Sequence, residues 1–389
     1  MKITGIDCHV LVIPDYEVAA NSSAQDNLVV EIHTDAGITG IGETDTNPWV
    51  ARACITAPGT HVMGQGLTEM LVGRDPQDPA AIWLDLYSGS KMTGRRGALI
   101  CALGAIDMAL WDLKGKAEGV PVHHLLGDAI KETITPYASL LPDGRTLAEY
   151  GDSLLFKLNR AQEIGYRAAK LEICINGPYS HHGLQASDAD GVAMVERCRR
   201  AVGDEFTLMV DVGYAWPNAE TALAVMQRLA PLDIFFVETP IDIDDLEGYA
   251  WLQERTPIPI AAGEWANTHF EFADLALRGR IDVLQPDIGR VGGFTAAMHV
   301  GKLAADLDRL VVPHCWKSGI GIAASTHFAA VTPTCPYIEF LPAGLSESAL
   351  RQELTFDEIR LEDGMIPVPR QPGLGVALNR DALARYRVL

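Results

Sequence analysis

TLMVDVGYAWPNAETALAVMQRLAPLDIFFVETP, residues 207–240, holds one full turn of the pattern that decides the fold. It opens with a β-rich apolar run, TLMVDV, in which Asp211 stands at the end of the strand. A segment at helical spacing follows, Ala219–Leu229, and then a second β-rich run, IFFVET, ending on Glu238. Working outward, the same unit recurs in both directions. Upstream lie ITPYASL and AAKLEI; downstream lie PIAAGE, VLQPDI, RLVVPHC and YIEFLP, with helical segments such as Thr268–Leu277 and Phe294–Leu307 between them. Repeated βα units imply parallel strands joined by right-handed crossovers, and eight of them close naturally as a barrel.

The first 125 or so residues follow another rule. Ile3–Val12 and Asn27–His33 favour β structure, and Asp35-Ala36-Gly37 is a turn signal between strands. Ala98 to Lys116 then shows apolar residues at helical spacing. No strongly apolar helix follows the eighth strand at once, and the last 45 or so residues carry the turn-rich PRQPGLG. The expected class is therefore α/β: an N-terminal α+β capping domain over residues 1–125, a (β/α)7β modified TIM barrel over 126–345, and a segment 346–389 returning to the cap.

Composition narrows the function classes. Apolar residues make up 48% of the 389 and charged residues 21%, enough for a large core and a solvated surface. The net charge is 31 − 51 = −20, so no basic stripe is available to displace counterions from phosphates and nucleic acid is not an expected partner. The seven cysteines are scattered without CxxC pairs, which argues against a disulfide framework and a structural zinc site. The opening MKITGIDCHVLVIP has no basic segment, long apolar run or small-residue cleavage site, and no apolar run is long enough to span a bilayer. A cytoplasmic enzyme without membrane contact is the expectation.

The polar residues at strand ends carry the chemistry. Asp211, Glu238, Glu264, Asp287, His314 and Glu339 follow one another at separations of 27, 26, 23, 27 and 25, about one βα unit each. Residues at the C-terminal ends of barrel strands converge on one mouth. A lone carboxylate there often only caps the next helix, but six polar residues at one period are hard to explain as caps. Three adjacent carboxylates repel unless something positive sits between them. Asp211, Glu238 and Glu264 are three oxygen donors from consecutive strands, suited to octahedral Mg2+ with Mn2+ as a substitute; zinc is less suited, since neither cysteine nor histidine joins the triad. His314 exchanges a proton near neutrality, and Asp287 one strand earlier is placed to fix its tautomer.

This ordered set resembles the mandelate racemase and muconate lactonising group of the enolase superfamily. The resemblance covers nearly the whole chain, including WDLKGK at 111–116 and the PGLG near the end. It implies an essential Mg2+ that binds a substrate carboxylate and stabilises the enediolate formed by α-proton removal. It further implies Asp211, Glu238 and Glu264 as metal ligands, His314 with Asp287 as a base-or-acid dyad, and Glu339 as an acid near the substrate carboxylate. A homo-oligomer is common among such barrels.

The second barrel strand departs from the commonest pattern of that group, Lys-x-Lys. Here it reads Lys170-Leu171-Glu172, and residues two apart point the same way, so both charged side chains enter the barrel. Lys170 either binds the substrate carboxylate or neighbours a metal ligand; Glu172 is either a weak base or a structural partner of Lys170. Racemisation wants two competent bases on opposite faces, whereas β-elimination needs one base and one acid. A dehydratase or cycloisomerase is therefore favoured over a racemase or epimerase.

The segments Tyr16–Asp26 and Asp45–His61, the latter with Trp49 and Arg52, read as lids or surface loops. Asn176–Gly183 reads as an insertion at the mouth, with His181 and His182 as polar surface. Trp216, Trp265 and Trp316 lie shortly beyond strand ends as candidate pocket walls, and Lys317 as added positive charge. These features suit a polyhydroxylated substrate, a sugar acid or its lactone or anhydro form. Two rivals remain: a catalytically silent sugar-acid-binding relative, and an aldolase with Lys170 as Schiff base.

Overall fold

A computed structural model describes residues 1–18, 20, 22–342, 344–345, 348–356 and 359–389. The N-terminal unit is a three-stranded antiparallel sheet in the order β1 (Ile3–Val12), β2 (Asp26–Thr34), β3 (Thr39–Thr44). The turn between β2 and β3 uses Gly37 at φ 74°, a left-handed conformation that costs glycine little. The long helix α1 (Ala98–Glu118) lies directly on β3. It can do so because TGIGET has glycine at the two contact points. A Cβ at Gly40 would sit 2.0 Å from the Ala109 carbonyl oxygen, and one at Gly42 would sit 2.1 Å from that of Ala105.

The barrel strands are β4 (Pro136–Leu140), β5 (Ala168–Glu172), β6 (Thr207–Asp211), β7 (Ile234–Glu238), β8 (Ile260–Ala262), β9 (Val283–Leu284), β10 (Leu310–Val311) and β11 (Ile338–Phe340). They form one parallel sheet in the order β10-β9-β8-β7-β6-β5-β4-β11. Backbone bonds from Val311 to Thr334 and from Glu339 to Pro313 join its two ends. The eight strands and the capping unit are the architecture expected from the sequence.

Three strands are shorter than the sequence runs suggest. PIAAGE leaves the ladder after Ala262, where Gly263 turns to φ 127°. VLQPDI and RLVVPHC leave after Leu284 and Val311, because Pro286 and Pro313 have no N–H with which to continue it. Glu264, Asp287 and His314 therefore stand on the loop side of the strand ends, and Asp287 caps the short helix Ile288–Val291.

Side chains fill the barrel in layers, since alternate strand residues face the axis. One apolar layer holds Tyr137, Ala168, Met209, Phe236, Ala261, Val283 and Val312, all fully buried. Two residues further along β4, β5, β6 and β7 come Ser139, Lys170, Asp211 and Glu238. A dry apolar plug thus supports a charged floor.

The chain end packs back on the cap. Helix α2 (Arg380–Tyr386) contacts β1, Val388 N–H donates to Val10, and Arg380 makes two bonds to the buried Glu31 carboxylate at 2.6 and 2.7 Å. WDLKGK and PGLG meet through Asp112, which accepts from Ile41 N–H, Leu374 N–H and the Lys116 ammonium. All seven cysteines are free, and no helix among the described residues is long and apolar enough to cross a membrane.

Candidate active site

The barrel mouth opens into a cleft of about 180 Å³ lined by Glu172, Asp211, Glu264, Arg290, His314 and the rings of Tyr179, Tyr214, Trp265 and Trp316. Ser22 and Ser23 close it from the cap. The cleft lies where the strand ends converge, and three of the six residues that recur at one period, Asp211, Glu264 and His314, line it.

Lys170 is the centre of the charged floor. Its ammonium, fully buried, lies 2.8 Å from Glu339 Oε1, 2.9 Å from Glu238 Oε1, 3.2 Å from Asp211 Oδ2 and 3.8 Å from Glu172 Oε1. Burial alone would favour the neutral amine, but Glu238, Glu339 and Asp211 outweigh it and hold the group firmly charged. A Schiff-base lysine needs a free amine, so these ion pairs weigh against the aldolase reading. Lys170 is shared among four carboxylates, of which Glu172 is the most distant.

Glu172 is left facing the cleft. Its Oε1 is buried without a hydrogen-bond donor, and its Oε2 meets only the Cys174 thiol at 3.6 Å. Burial first, and then the Asp211 carboxylate, push it well above the usual carboxylate range. Ligand atoms of Glu172, Cys174 and Asp211 lie within 4.8 Å of one another, as do those of Asp45, Asp287 and His314.

Glu238 does not line the cleft. Its two oxygens accept from Lys170 at 2.9 Å and from the Gln285 amide at 2.6 Å, and each keeps a second lone pair. Glu339 lies deeper than its expected place beside a substrate. It accepts from Ser139, Trp316 Nε1 and the Cys315 N–H as well as Lys170. Burial works to raise it, but Lys170 and His314 prevail and hold it at about 2, a fixed anion.

His314 Nδ1 lies 2.8 Å from Asp287 Oδ2, and its Nε2 faces the cleft 3.3 Å from Glu264 Oε2. Burial and Arg290 disfavour the imidazolium; the Glu339, Asp287 and Glu264 carboxylates outweigh them and raise the ring above its ordinary value. An Nδ1–H donated to Asp287 leaves the Nε2 lone pair aimed at the cleft.

Several expectations are corrected. Trp216 is no pocket wall: it is buried among Ile173, Ile175 and Val225 behind β6, with Nε1 donating to Asp188. His181 is not polar surface but 4% exposed, packed on the Tyr150 ring. Lys317 adds no free charge, being fastened to Asp26, Asp45 and the Ser23 carbonyl of the cap. The 45–61 segment is largely the helix Pro48–Thr56, started by Pro48 behind the Asn47 cap. Of the Tyr16–Asp26 lid, Ala19 and Asn21 lie outside the described residues.

Sequence reasoning missed Asp45 and Arg290. They pair at 2.7 Å and clamp cap to barrel, and no period connects them. It also missed Gln285 and Ser139, which were within reach. Ser139 is a polar residue in an apolar strand, and Gln285 is one in an apolar run, two before Asp287.

The floor suits a hard divalent cation. Ligand atoms of the expected triad Asp211, Glu238 and Glu264 are not among the groups that lie within 4.8 Å of one another in the described residues, but all three carry hard oxygens around this floor, and the Glu172 oxygen that lacks a hydrogen-bond donor stands beside Asp211.

Residues 9–127 match the mandelate racemase / muconate lactonizing enzyme N-terminal domain, and residues 156–382 match the enolase C-terminal domain-like family. The chain is 29% identical to a D-galactarolactone cycloisomerase of Agrobacterium fabrum, over 100% of this chain and 99% of that one. It is 31% identical to a D-galactonate dehydratase of Ralstonia nicotianae, over 90% and 88%. Its structure is similar to that of the 3,6-anhydro-D-galactonate cycloisomerase from Zobellia galactanivorans, with a TM-score of 0.86 and 29% identity across 100% of both chains.

Proposed function

We propose, from the premise that this chain belongs to the mandelate racemase and muconate lactonizing group of the enolase superfamily, that it removes the proton α to the carboxylate of a sugar acid, or of its lactone or anhydro form, with β-elimination. The observation that carries the reading is the asymmetry of the cleft. His314 is a base oriented by Asp287, while the second strand offers Glu172 rather than a lysine. The sugar-acid relatives, two of them cycloisomerases, support the substrate class.

Asp211, Glu238 and Glu264 would hold the cation, Mg2+ with Mn2+ as a replacement. When bound, it supplies positive charge to the substrate carboxylate, where negative charge grows as the α-proton departs. His314 Nε2 takes that proton, and Asp287 keeps the ring's orientation and stabilises the imidazolium. The C–H electron pair becomes the Cα–Cβ double bond of the product enol as the Cβ–O bond breaks. A departing hydroxyl leaves as water; a ring oxygen leaves still tethered, which makes the reaction a cycloisomerisation. Glu172, its carboxyl pushed up by burial and Asp211, is the cleft group placed to give a proton to the departing oxygen. Lys170 keeps Asp211 and Glu238 fixed, and Glu339 in turn fixes Lys170 and the 314–316 segment.

The test is proton NMR in D2O with Mg2+ and a panel of sugar acids and lactones. The expected result is α-deuteration or a 2-keto-3-deoxy or ring-opened product, abolished by EDTA and by His314→Asn. A panel without exchange or product, with Mg2+ bound, would sink the reading.

A further inference from the structure

Tyr214 is held in a conformation that an aromatic residue has no intrinsic reason to adopt. Its φ is 59°, in the left-handed region where a bulky side chain is strained and glycine is not. The residue before it, Gly213, is left-handed too, so glycine was available to the turn. The strained backbone is pinned by the Tyr214 N–H, which donates to the Thr239 carbonyl at 2.7 Å.

The ring is pinned as well. It stacks on Trp265, with centroids 4.2 Å apart and planes at 26°, and Tyr179 meets both rings edge-on. The side chain is 6% exposed, and its hydroxyl lies beside the Glu264 carboxylate without completing a hydrogen bond of normal geometry. A buried hydroxyl without a well-formed partner costs free energy, and three rings and a strained turn hold it in that position. That position is on the wall of the cleft.

We propose that the Tyr214 hydroxyl is a substrate-binding group: it hydrogen-bonds an oxygen of a hydroxylated carboxylic acid seated in the cleft. This rests on the sugar-acid reading above and adds a residue that the strand-end period does not supply. The Tyr179–Tyr214–Trp265 rings form the subsite; their edges and faces suit a carbon chain that is apolar along C–H and polar at O–H. An acid without an oxygen at that position leaves the phenol unpaired and is discriminated against.

The variant is Tyr214→Phe, which keeps the ring contacts and removes one oxygen. Two measurements are made on the full chain with Mg2+. Without ligand, the melting temperature of the variant equals or exceeds that of the wild type, because a buried group without a well-formed partner has been removed. By titration calorimetry with D-galactarate as the probe, affinity falls roughly 10- to 100-fold, the loss of one buried hydrogen bond. A melting temperature several degrees lower with unchanged affinity makes the hydroxyl structural and overturns the proposal. Equal affinities, including no binding by either protein, overturn it as well. Elimination is read separately by turnover in the wild type, so a protein that binds the acid through Tyr214 without converting it refutes the reaction and not the subsite.

Discussion

Replacing Lys170 by methionine removes the one cation set among four carboxylates while keeping the side chain's length. The ammonium lies within 3.2 Å of Glu339, Glu238 and Asp211 and at 3.8 Å from Glu172, and it is fully buried. Breaking a buried ion pair by deleting one partner costs about 3–5 kcal/mol, because the other charge stays desolvated. At about 2.1 cal/mol/K of unfolding entropy per residue, a chain of this length shifts by roughly 1 °C per kcal/mol. A melting temperature lower by about 3–6 °C is expected by calorimetry at pH 8 in EDTA. The pH dependence follows from the shifts. Lys170 is raised above its ordinary value, so its charge is complete below about 10.5 and constant between pH 5 and pH 8. Glu339 is depressed to about 2, so its share is present above the ordinary carboxylate value and lost as pH falls through 2. Glu238 and Glu172 are raised well above the ordinary carboxylate value by burial, so they take up protons as the pH falls from 8 and relieve the unpaired charge; the deficit is largest at pH 8 and shrinks toward acid. A divalent cation restores part of it, by returning positive charge to the same carboxylates. An unchanged melting temperature, or a deficit that widens toward low pH, would refute the electrostatic account of this floor.

Asp287→Asn leaves the shape at His314 Nδ1 but removes the charge 2.8 Å away; kcat for α-proton exchange is expected to fall about 10²- to 10⁴-fold with KM little changed, and a loss confined to KM counts against the dyad. Glu31→Gln tests how the chain end is held to the cap. Burial favours a neutral Glu31, but His9 and Arg380 overcome it and hold the carboxyl at about 2. Urea unfolding should show the variant less stable by about 1–3 kcal/mol at neutral pH, with the difference lost as pH falls through about 2; equal midpoints at pH 7 contradict it.

The sequence alone determined the repeat, and through it the fold and which polar side chains meet at the barrel mouth. A strand's side chains alternate, so a charged residue at the end of each apolar run has one place to go once the runs close into a barrel. Asp211, Glu238, Glu264, Asp287 and His314 were legible for that reason, and so was the shared orientation of Lys170 and Glu172. Local chemistry also foretold the helix Ala219–Leu229 and the turn at Asp35–Gly37.

What the period could not carry is contact between elements far apart in the chain. Asp45 meets Arg290 and Lys317 across some 245 residues or more, and no pattern along the chain encodes that clamp. Trp216 and Trp265 read alike, each just past a strand end, yet the packing of helices behind β6 buries one while the other faces the cleft. Which carboxylate Lys170 would choose depended on how far each strand reaches along the barrel axis, and Glu339 and Glu238 stand nearer than Glu172. Tyr214 is the clearest case. Its residue type is ordinary, and its significance lies in a left-handed backbone and a buried hydroxyl on the cleft wall. Those are properties of position, which only the closed barrel and the rings around it create.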